Sequence, residues 1–575
     1  MAKLLRINTV ERTFAFEEMG PYAGLGGRAL TSRIINAEVP ADSHPLSGEN
    51  KLVIAPGILT GTTAANSGRI SVGAKSPLTG GIKESNSGGV VSQKLARLGI
   101  AGIILEGKPA QDAPFMTIKI DKDGVTIADA PGDMLMDNYA YAKILDEKFG
   151  GKACVALAGP AGCQCLKAST IQFTDPDGRP ARSAGRGGMG AVMGSKKVKA
   201  LIVDDKGAPG IEYADKDAFK VAAKKWVDII MSHPVTSQGL PTYGTAVLVN
   251  VLNEAGGLPT KNFRSGQFEH AADISGEKMF ELIEARGGKT KEGCHPGCVI
   301  QCSQKFVNAK GEYVTSGFEY ETLWAFGAAT TIHDMDLMAE MDRVCDEKGI
   351  DTIEMGNAIA VAMEGGLLPW GDGPGALALL KKVGTSDPLG RILGNGVVFM
   401  GDALGVDRLP VVKNQSMPAY DPRAVKGVGV TYATTPMGAD HTAGYAVAQN
   451  ILKVGGDIPP LSKEGQVEVS KALQIATAAV DAAGFCLFVA FAVLDSAEAL
   501  GVVADMLTAR FGPKASVEDI LALGEAVLRD ELDFNARAGF TKKDDQLPRW
   551  MSEPLPPHNV VWDFTVDELQ GAKVS

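Results

Sequence analysis

Three of the chain's eight cysteines lie within nine residues, in the segment Cys294-His-Pro-Gly-Cys298-Val-Ile-Gln-Cys302. Two successive three-residue gaps let one turn present several thiolates to a compact metal cluster, and Pro296 with Gly297 break any helix so that backbone N–H groups can also face it. Eight cysteines in 575 residues are too few for a disulfide scaffold. The segment predicts an iron–sulfur cluster, with a structural zinc site or three free thiols as alternatives. A radical-type cluster is disfavoured because it requires gaps of three and then two residues.

Three cysteines leave one ligand position of a four-ligand cluster to be filled from elsewhere in the chain. The available residues are Cys345, Cys486 and the pair Cys163 and Cys165. Spacing along the sequence does not choose among them, so the fourth ligand stays open at this level.

Charge and hydropathy exclude several classes of protein. The chain has 57 Lys and Arg against 68 Asp and Glu, a net charge of -11, whereas proteins that bind the nucleic-acid backbone are basic. Residues 1–8 lack a charged region followed by an apolar one, so we expect no signal peptide. The longest apolar run, Ala482 to Leu494, has 13 residues, fewer than the ~20 that span a bilayer. We expect a cytoplasmic protein with no nucleic-acid partner and no membrane span.

The distribution of strand-type and helix-type patterns along the sequence predicts three domains in an α+β protein. Residues 1–210 contain short β-type runs separated by Gly and Pro, and helical spacing follows from residue 211. A proline-rich break near residues 405–425 separates a domain of residues 211–415 from one of residues 416–575. The expected strands are Lys51–Ala55, Ile103–Glu106, Thr117–Ile120, Ala153–Ala158 and Ala200–Val203. The expected helices are Asp217–His233, Ala339–Lys348, Ile353–Gly365, Gly375–Val383 and Glu464–Ala483.

A near repeat links two distant segments. The pattern D-x-x-G-hydrophobic-(D/C) occurs twice, 135 residues apart, as Asp346-Glu-Lys-Gly349-Ile350-Asp351 and Asp481-Ala-Ala-Gly484-Phe485-Cys486. An Asp at a helix end followed by Gly permits a tight turn in which carboxylate and bare backbone reach the N–H donors of a ring edge. Either copy alone also fits an ordinary glycine helix cap. The pairing predicts two similar ligands or two halves of one.

Glycine is in excess, with 69 of 575 residues against an average of about 7%. The stretch 182–194 contains G-x-G-x-x-G at Gly185, Gly187 and Gly190. We reject a dinucleotide-binding fold there, because residues 174–183 are polar with two prolines and the segment that follows is too short for a crossover helix.

Arginines in the same stretch point to phosphate instead. Arg182 and Arg186 flank bare backbone, a combination suited to guanidinium and N–H contacts with phosphate groups. A similar loop region lies earlier in the chain, in Asn66-Ser-Gly68-Arg69, Lys75–Gly81 and Asn86-Ser-Gly88-Gly89. Two such loops predict a bulky anionic cofactor.

In combination these motifs resemble the tungsten-containing aldehyde ferredoxin oxidoreductase family, and the likeness covers nearly the whole chain. It implies an N-terminal domain of two β-sheets that forms a base for a bis-pyranopterin tungsten cofactor, covered by two mainly α-helical domains. It further implies oxidation of an aldehyde with water to a carboxylic acid, with electrons passed through a cluster to ferredoxin or partner subunits. Whether tungsten or molybdenum is loaded stays open.

The resemblance also assigns roles to residues of this sequence. The pterin phosphates would contact Arg69, Asn86, Arg186, Gly187 and Gly188, with Gly88 and Arg182 in the same loops and a Mg²⁺ ion near Asn86 and Gly187. One pterin would be held by Asp346, Gly349 and Asp351, and the other by Asp481, Gly484 and Phe485. One [4Fe–4S] cluster would be ligated by Cys294, Cys298, Cys302 and Cys486. The family's usual first cysteine gap is two residues, so the ligand loop of this chain departs from it.

For catalysis, the resemblance implies a Glu shortly after the cysteines and a His in the third domain. Glu319 and Glu321 are both available, and Glu321 is favoured because the family's Glu follows a Tyr. Without the resemblance either Glu would be a surface charge and His441 an ordinary histidine. Glu321 can abstract a proton from water as it adds to the carbonyl carbon, and His441 can donate a hydrogen bond to the developing oxyanion. That role requires a shielded site to raise the pKa of His441.

One departure bears on assembly. Archaeal homodimers of the family bind a bridging iron with E-x-x-H, where this chain reads Glu340-Met-Asp-Arg343. We therefore expect other partners, a polyferredoxin subunit and a flavin/NAD subunit, as in bacterial members. The alternative functions are a benzoyl-CoA reductase-type catalytic subunit and a non-catalytic iron–sulfur electron-transfer subunit, against which the phosphate loops argue.

Overall fold

The computed structural model describes residues 2–574, so Met1 and Ser575 lie outside the described residues. Residues Lys3–Asn8, at the start of the chain, form a strand. Within residues 2–574, no helix combines the length and the apolar character that a membrane crossing needs.

Two six-stranded sheets occupy the first 203 residues. Their strands are β1 (Lys3–Asn8), β2 (Thr13–Glu18), β3 (Leu52–Pro56), β4 (Ile70–Lys75), β5 (Ile82–Ser87), β6 (Ile100–Glu106), β7 (Met116–Asp121), β8 (Gly124–Asp129), β9 (Val155–Ala158), β10 (Ile171–Phe173), β11 (Arg182–Ala184) and β12 (Val198–Val203). The sheet orders are β2-β1-β6-β3-β4-β5 and β11-β10-β9-β12-β7-β8. Apolar side chains of both sheets, such as Ile103 and Ile118, belong to one buried cluster. The two sheets that the resemblance implies are present, and they pack against each other.

Helices dominate the rest of the chain. Those of the first 205 residues are α1 (Gly27–Glu38), α2 (Val91–Arg97), α3 (Asn138–Phe149), α4 (Pro160–Cys163) and α5 (Met189–Ser195). The next are α6 (Lys216–Ser232), α7 (Leu240–Tyr243), α8 (Leu248–Glu254), α9 (Gly276–Arg286), α10 (Tyr320–Phe326), α11 (Met335–Lys348), α12 (Thr352–Glu364), α13 (Gly373–Lys381), α14 (Pro388–Gly394) and α15 (Val397–Leu404). The last are α16 (Lys426–Thr434), α17 (Val447–Asn450), α18 (Gln466–Ala483), α19 (Ala490–Leu494), α20 (Ala499–Phe511), α21 (Val517–Arg537) and α22 (Val566–Leu569).

Two small sheets interrupt these helices. Strands β13 (Lys289–Glu292), β14 (Ser303–Val307) and β15 (Tyr313–Ser316) frame the cysteine segment, and β16 (Val411–Val412) pairs with β17 (Gln415–Ser416). The α+β class is confirmed. All five expected strands and all five expected helices are present, with ends shifted by a few residues. The domain boundaries at residues 210 and 415 stay predictions.

The glycine-rich stretch does not sit in a parallel βαβ unit. Strand β11 precedes it and pairs antiparallel with β10, and helix α5 that follows has only seven residues. This local structure agrees with the rejection of a dinucleotide-binding fold.

Both copies of the D-x-x-G pattern end a helix. Helix α11 ends at Gly349, whose φ is 69°, and α18 ends at Gly484, whose φ is 88°. Asp351 then starts the next helix, because its carboxylate accepts a hydrogen bond from the Ile353 N–H at 2.9 Å. The turns are glycine caps, and the carboxylates of their aspartates are largely buried.

Gly484 is required by close packing as well as by its positive φ. A Cβ at this position would lie 2.4 Å from Thr60 Oγ1 and 2.8 Å from Gly57 Cα. Hydrogen bonds from the Leu59 N–H to Ala483 O and from the Arg69 N–H to Gly484 O, at 2.9 and 3.1 Å, join the same two segments. The end of α18 is therefore docked on the loop that follows β3.

Candidate functional site

A cavity of about 360 Å³ lies between the sheets and the helices that follow them. Residues from widely separated stretches of the chain, from Arg69 to Phe488, line it, and most of the predicted site residues are among them. These are Arg69, Gly88, Arg182, Arg186, Cys294, Cys302, Glu319, Glu321, Asp346, Asp351, His441 and Cys486. We call this space the catalytic cavity.

A second cavity of about 200 Å³ adjoins it, since Arg69, Arg186 and His441 line both. Asn86 and Asp481 line only the second one. Of the predicted residues in the described part of the chain, six line neither space: Gly187, Gly188, Cys298, Gly349, Gly484 and Phe485. The four glycines lie one or two positions from residues that line the cavities. The Gly187 carbonyl accepts a hydrogen bond from Ser76 Oγ at 2.7 Å.

The cysteine segment supplies a compact group of sulfurs. Sγ atoms of Cys294 and Cys298 and a ring nitrogen of His295 lie within 4.8 Å of one another, and Cys302 and Cys486 line the catalytic cavity with Cys294. A hydrogen bond from the Cys298 thiol lowers the pKa of Cys294 well below its usual range. A set of four thiols fits an iron–sulfur cluster or zinc. The other cysteines that the sequence left open, such as Cys345 in α11, do not line this cavity within residues 2–574.

Asn66 ties the two cysteine-bearing segments together. Its Nδ2 donates to Cys298 Sγ at 3.4 Å, and its Oδ1 accepts from the Val299 N–H at 3.0 Å. Its backbone N–H donates to Gly297 O, and its carbonyl accepts from the Cys486 N–H at 2.8 Å. The sequence placed Asn66 in a phosphate loop and missed this role, because the contacts join residues 231 and more positions apart.

Glu321 and His441 face each other in the catalytic cavity. His441 Nε2 lies 3.2 Å from Glu321 Oε1, and both side chains are largely buried. Glu321 Oε2 accepts a hydrogen bond from the Ala419 N–H at 2.9 Å, and the Ala419 carbonyl accepts from Tyr320 Oη at 2.6 Å. These contacts hold one carboxylate oxygen in place and leave the other turned toward the imidazole.

Burial sets the protonation of this pair. It raises the pKa of Glu321 to about 8 and lowers the pKa of His441 to about 4. The expectation that a shielded site raises the pKa of His441 is therefore wrong for the protein alone, because loss of solvation outweighs the nearby charge of Asp440. At neutral pH the pair consists of a carboxylic acid and a neutral imidazole.

Glu319 lies two residues before Glu321, at the N-cap of α10. Its Oε2 accepts from Thr245 Oγ1 at 2.6 Å, and burial raises its pKa. Its charge adds to the burial that raises the pKa of Cys302. Glu319 thus lies toward the cysteines and Glu321 toward His441.

Aromatic rings surround His441. The ring of Tyr420 has its centroid 5.6 Å from that of His441, and the ring of Tyr445 lies at 6.0 Å. The two phenol oxygens are 2.9 Å apart. Sequence reasoning missed both tyrosines, since a lone Tyr carries no spacing signal.

The arginine side of the catalytic cavity contains polar groups without protein partners. Arg182 Nε and Ser87 Oγ are buried and unpaired, although Arg182 Nη2 donates to Ser303 Oγ at 2.6 Å. Buried donors without partners are costly, so they indicate a site built for a polar ligand. Arg69 Nε donates to Asn86 Oδ1 at 2.5 Å. These donors fit an anionic cofactor with phosphate groups.

Arg186 makes more hydrogen bonds within the protein than the sequence suggests. Its Nε donates to Asp351 Oδ2 at 3.1 Å, and its two Nη atoms donate to the carbonyls of Ala439 and Ser416 at 2.7 Å. Asp351 is both helix cap and ion-pair partner. This arrangement joins the glycine-rich loop to the first D-x-x-G copy.

The second D-x-x-G copy has its own arginine. Arg28 Nη1 lies 3.2 Å from Asp481 Oδ2, while its Nε and Nη2 form a bidentate pair with Glu531 at 2.9 Å. Burial, with the neighbouring Glu84, raises the pKa of Asp481 to about 8. Asp481 therefore enters the second cavity as a buried acid held by an arginine.

Comparison with known proteins supplies independent findings. Family models described as the aldehyde ferredoxin oxidoreductase N-terminal domain and its domains 2 and 3 match residues 4–205 and 221–569. The tungsten-containing aldehyde ferredoxin oxidoreductase of Thermococcus kodakarensis is 37% identical over 96% of this chain and 92% of its own. The enzyme of that name from Pyrococcus furiosus is 36% identical over 92% of this chain and 88% of its own.

A solved structure shares the fold. It is the active-site complex BamBC of benzoyl coenzyme A reductase with 1,5-dienoyl-CoA, with a TM-score of 0.78, 19% identity, and coverage of 95% of this chain and 90% of that chain. At this identity the likeness shows the fold alone.

Proposed function

Because the chain belongs to the tungsten-containing aldehyde ferredoxin oxidoreductase family, we propose that it oxidises aldehydes to carboxylic acids with water as the oxygen source. The balanced reaction is RCHO + H2O to RCOOH with release of two protons and two electrons. The observation that carries the proposal is the Glu321–His441 pair, 3.2 Å apart, in a cavity that cysteines and arginines also line.

The residues around the two cavities would hold the cofactors. Arg69, Arg182 and Asn86 are donors for pterin phosphates, and Asp346 and Asp481 are acceptors for pterin N–H groups. Four cysteines, Cys294, Cys298, Cys302 and Cys486, would ligate one [4Fe–4S] cluster. A Mg²⁺ ion near Asn86 and Gly187 belongs to the same proposal. When bound, the tungsten–pterin would supply a two-electron acceptor, and the cluster a one-electron outlet.

The protein's own groups handle protons and orientation. The ionised fraction of Glu321, which grows as the pH approaches 8, takes the proton of the attacking water, and the raised pKa makes this carboxylate a stronger base than an exposed one. His441, neutral at working pH, donates a hydrogen bond to the oxygen that gains negative charge. The aromatic rings around it exclude bulk water, which strengthens both interactions.

The test compares two glutamates that lie two residues apart at the start of α10. The anaerobically purified holoenzyme is assayed for aldehyde oxidation with a dye acceptor, and metal content is measured in parallel. We expect Glu321→Gln to retain tungsten and iron but to lose activity by about 10²–10⁴-fold. Glu319→Gln, the matched control, should retain most of the wild-type activity. Full activity in Glu321→Gln would reject its assigned role, and absence of tungsten from the wild-type protein would reject the cofactor.

The proposal extends to electron acceptors. A ferredoxin-type protein, or a polyferredoxin subunit with a flavin/NAD subunit, would take the electrons from the cluster. Co-purification from the native host tests this, and a chain that elutes with no iron–sulfur partner and reduces ferredoxin directly would reject the multi-subunit form. Turnover of benzoyl-CoA instead of aldehydes would favour the benzoyl-CoA reductase-type alternative.

A further inference from the structure

A group of potential metal ligands lies on the surface, away from both cavities. Asp273 belongs to the short helical turn Ala271–Ile274, His270 immediately precedes that turn, and His333 lies in the loop between α10 and α11. The ligand atoms of the three residues lie within 4.8 Å of one another. We call this group the surface histidine site.

The separations of the three ligand atoms fit one small cation. His270 Nδ1 lies 3.1 Å from Asp273 Oδ2, and His333 Nδ1 lies 3.9 Å from the same oxygen. Ligands of a tetrahedral Zn²⁺ ion, bound at about 2.0–2.2 Å, are about 3.4 Å apart, so the two distances lie on either side of the ideal value. The outer torsion of a histidine side chain is soft, and small rotations therefore aim both nitrogens at one point.

An ordinary ion pair between His270 and Asp273 does not account for the third residue. His333 comes from a segment 60 positions further along the chain than Asp273, and its ring stacks on that of His270 with centroids 3.9 Å apart and an interplanar angle of 9°. Two stacked imidazolium ions would repel each other. A metal cation binds imidazole in its neutral form, so it can hold both rings side by side.

Neighbouring side chains orient His270 as a ligand. Glu269 Oε1 lies 3.9 Å from His270 Nε2, and this carboxylate favours the tautomer that carries its proton on Nε2 and leaves Nδ1 free for a cation. A carboxylate beside the second nitrogen commonly accompanies a metal-binding histidine. The buried ring of Phe268 packs edge-on against the same imidazole, with centroids 5.7 Å apart.

Buried residues fix the two segments that carry the ligands. Ile274 follows Asp273, Ile332 precedes His333, and both isoleucines are buried in one core cluster. A Cβ on Gly327 would lie 2.7 Å from Ile274 Cδ1, so the turn packs directly on the loop that follows α10. The backbone is therefore held in place, while the three ligand side chains remain about half exposed and open to an ion from solvent.

We propose that His270, Asp273 and His333 bind one divalent transition-metal cation, for which Zn²⁺ is the expected ion, with water completing its coordination. Two imidazole nitrogens and one carboxylate oxygen suit Zn²⁺, whereas Ca²⁺ and Mg²⁺ prefer oxygen ligands. The bound ion joins the turn at residues 271–274 to the loop before α11.

The position of this site assigns the ion a structural role. His333 lies two residues before the start of α11, and Asp346, near the other end of that helix, lines the catalytic cavity. A helix of 14 residues is about 20 Å long. The ion is therefore too far from the catalytic cavity to contact the reacting groups, and it stabilises the connection between α10 and α11.

Calorimetric titration of the holoenzyme with ZnCl2 tests the site. The wild-type protein should bind one Zn²⁺ ion that Mg²⁺ does not displace, and His333→Ala should weaken this binding by at least about tenfold, because one of three protein ligands is lost. Asp273→Asn, which keeps the shape of the side chain, should weaken it as well. Equal zinc affinity in the wild-type protein and in His333→Ala would overturn the proposal.

His233→Ala is the matched control for His333→Ala. His233 Nε2 also lies 3.1 Å from a carboxylate, that of Asp495, but within residues 2–574 it belongs to no three-residue group of this kind. Its replacement should leave zinc binding unchanged. Far-UV circular dichroism confirms that each variant is folded.

Hydrogen exchange followed by mass spectrometry locates the bound ion. Addition of Zn²⁺ should slow amide exchange in residues 268–275 and 327–335 of the wild-type protein but not of His333→Ala. Protection confined to the cysteine segment, residues 294–302, would place the ion at the thiols and overturn the assignment. Zinc-dependent dimers that His333→Ala abolishes would also overturn it, because the ligands would then belong to a contact between two copies of the chain.

Discussion

The protonation of Glu321 at working pH follows from its surroundings. Burial raises its pKa to about 8, whereas burial lowers the pKa of its neighbour His441 to about 4. If ionised Glu321 is the base, its active fraction grows as the pH rises toward 8 and levels off above it. We therefore expect kcat/KM to increase between pH 6 and about 8, with no loss from His441 in that range.

The control for this pH profile is the adjacent carboxyl group. Glu319→Gln should keep the rise in kcat/KM, because Glu319 bonds to Thr245 and not to His441. A profile that is flat from pH 6 to 9 in the wild-type enzyme would show that Glu321 is not the titrating base. Rates are measured with saturating dye so that only the aldehyde step is compared.

Asn66 gives a second prediction at the scale of single residues. Its Nδ2–H donates to Cys298 Sγ, and hydrogen bonds to ligand sulfurs raise the reduction potential of iron–sulfur clusters. Asn66→Asp keeps the acceptor for the Val299 N–H but replaces the donor with a carboxylate oxygen. We expect the reduction potential of the proposed cluster to fall by tens of millivolts in a redox titration followed by electron paramagnetic resonance.

Ser67→Ala is the matched control for Asn66→Asp. Ser67 is equally buried and donates to Ala64 O at 2.8 Å, away from the sulfurs. Loss of the Ser67 hydroxyl should lower the stability of the fold but leave the reduction potential of the cluster unchanged. An unchanged potential in Asn66→Asp would show that the Asn66 contacts serve only the fold.

At the scale of secondary-structure elements, the ends of helices position residues of the candidate site. Gly484 ends α18 with a φ of 88° and lies against Gly57 and Thr60, whereas Gly287 ends α9 with a φ of 75° and has open space around it. Gly287→Ala should cost only the left-handed backbone penalty of about 1–2 kcal/mol. Gly484→Ala must also displace packed backbone, so we expect a loss of about 2–5 kcal/mol.

Denaturant unfolding followed by circular dichroism compares the two glycine variants, and pterin content is measured alongside. Equal losses of stability would show that the contact of α18 with the loop after β3 can relax. The comparison isolates packing, because both positions share the same backbone conformation and the same position at a helix end.

The sequence predicted elements better than it predicted contacts. Periodicity located the ten tested strands and helices, because a strand or a helix is a local pattern. It could not decide between Glu319 and Glu321, since the difference between them is which one meets His441, 120 residues away in the chain. Asp481 was predicted from its motif, but its partner Arg28 was not, because no local pattern connects residues 453 positions apart.

At the scale of the whole molecule, the two ends of the chain are joined by buried charge. Arg28 on α1 pairs with Glu531 on α21, and their side chains are 3% and 0% exposed. Ser32 also donates to Glu531, at 2.8 Å. The same arginine reaches Asp481 at the end of α18. Helix α1, the long helix α21 and the second cavity therefore share one ionic network.

Removing Arg28 tests whether this network holds the molecule together. Arg28→Ala leaves the Glu531 carboxylate buried without its partner, so the free energy of unfolding should fall by about 3–5 kcal/mol. Arg33→Ala is the matched control on the same helix, since Arg33 pairs with Asp530 of α21 but is 43% exposed, and such a pair contributes about 0–1 kcal/mol. Denaturation midpoints of the two variants give the comparison. A loss in Arg28→Ala no larger than that in Arg33→Ala would mean that Glu531 takes up a proton or finds another donor, and that packing alone joins α1 to α21.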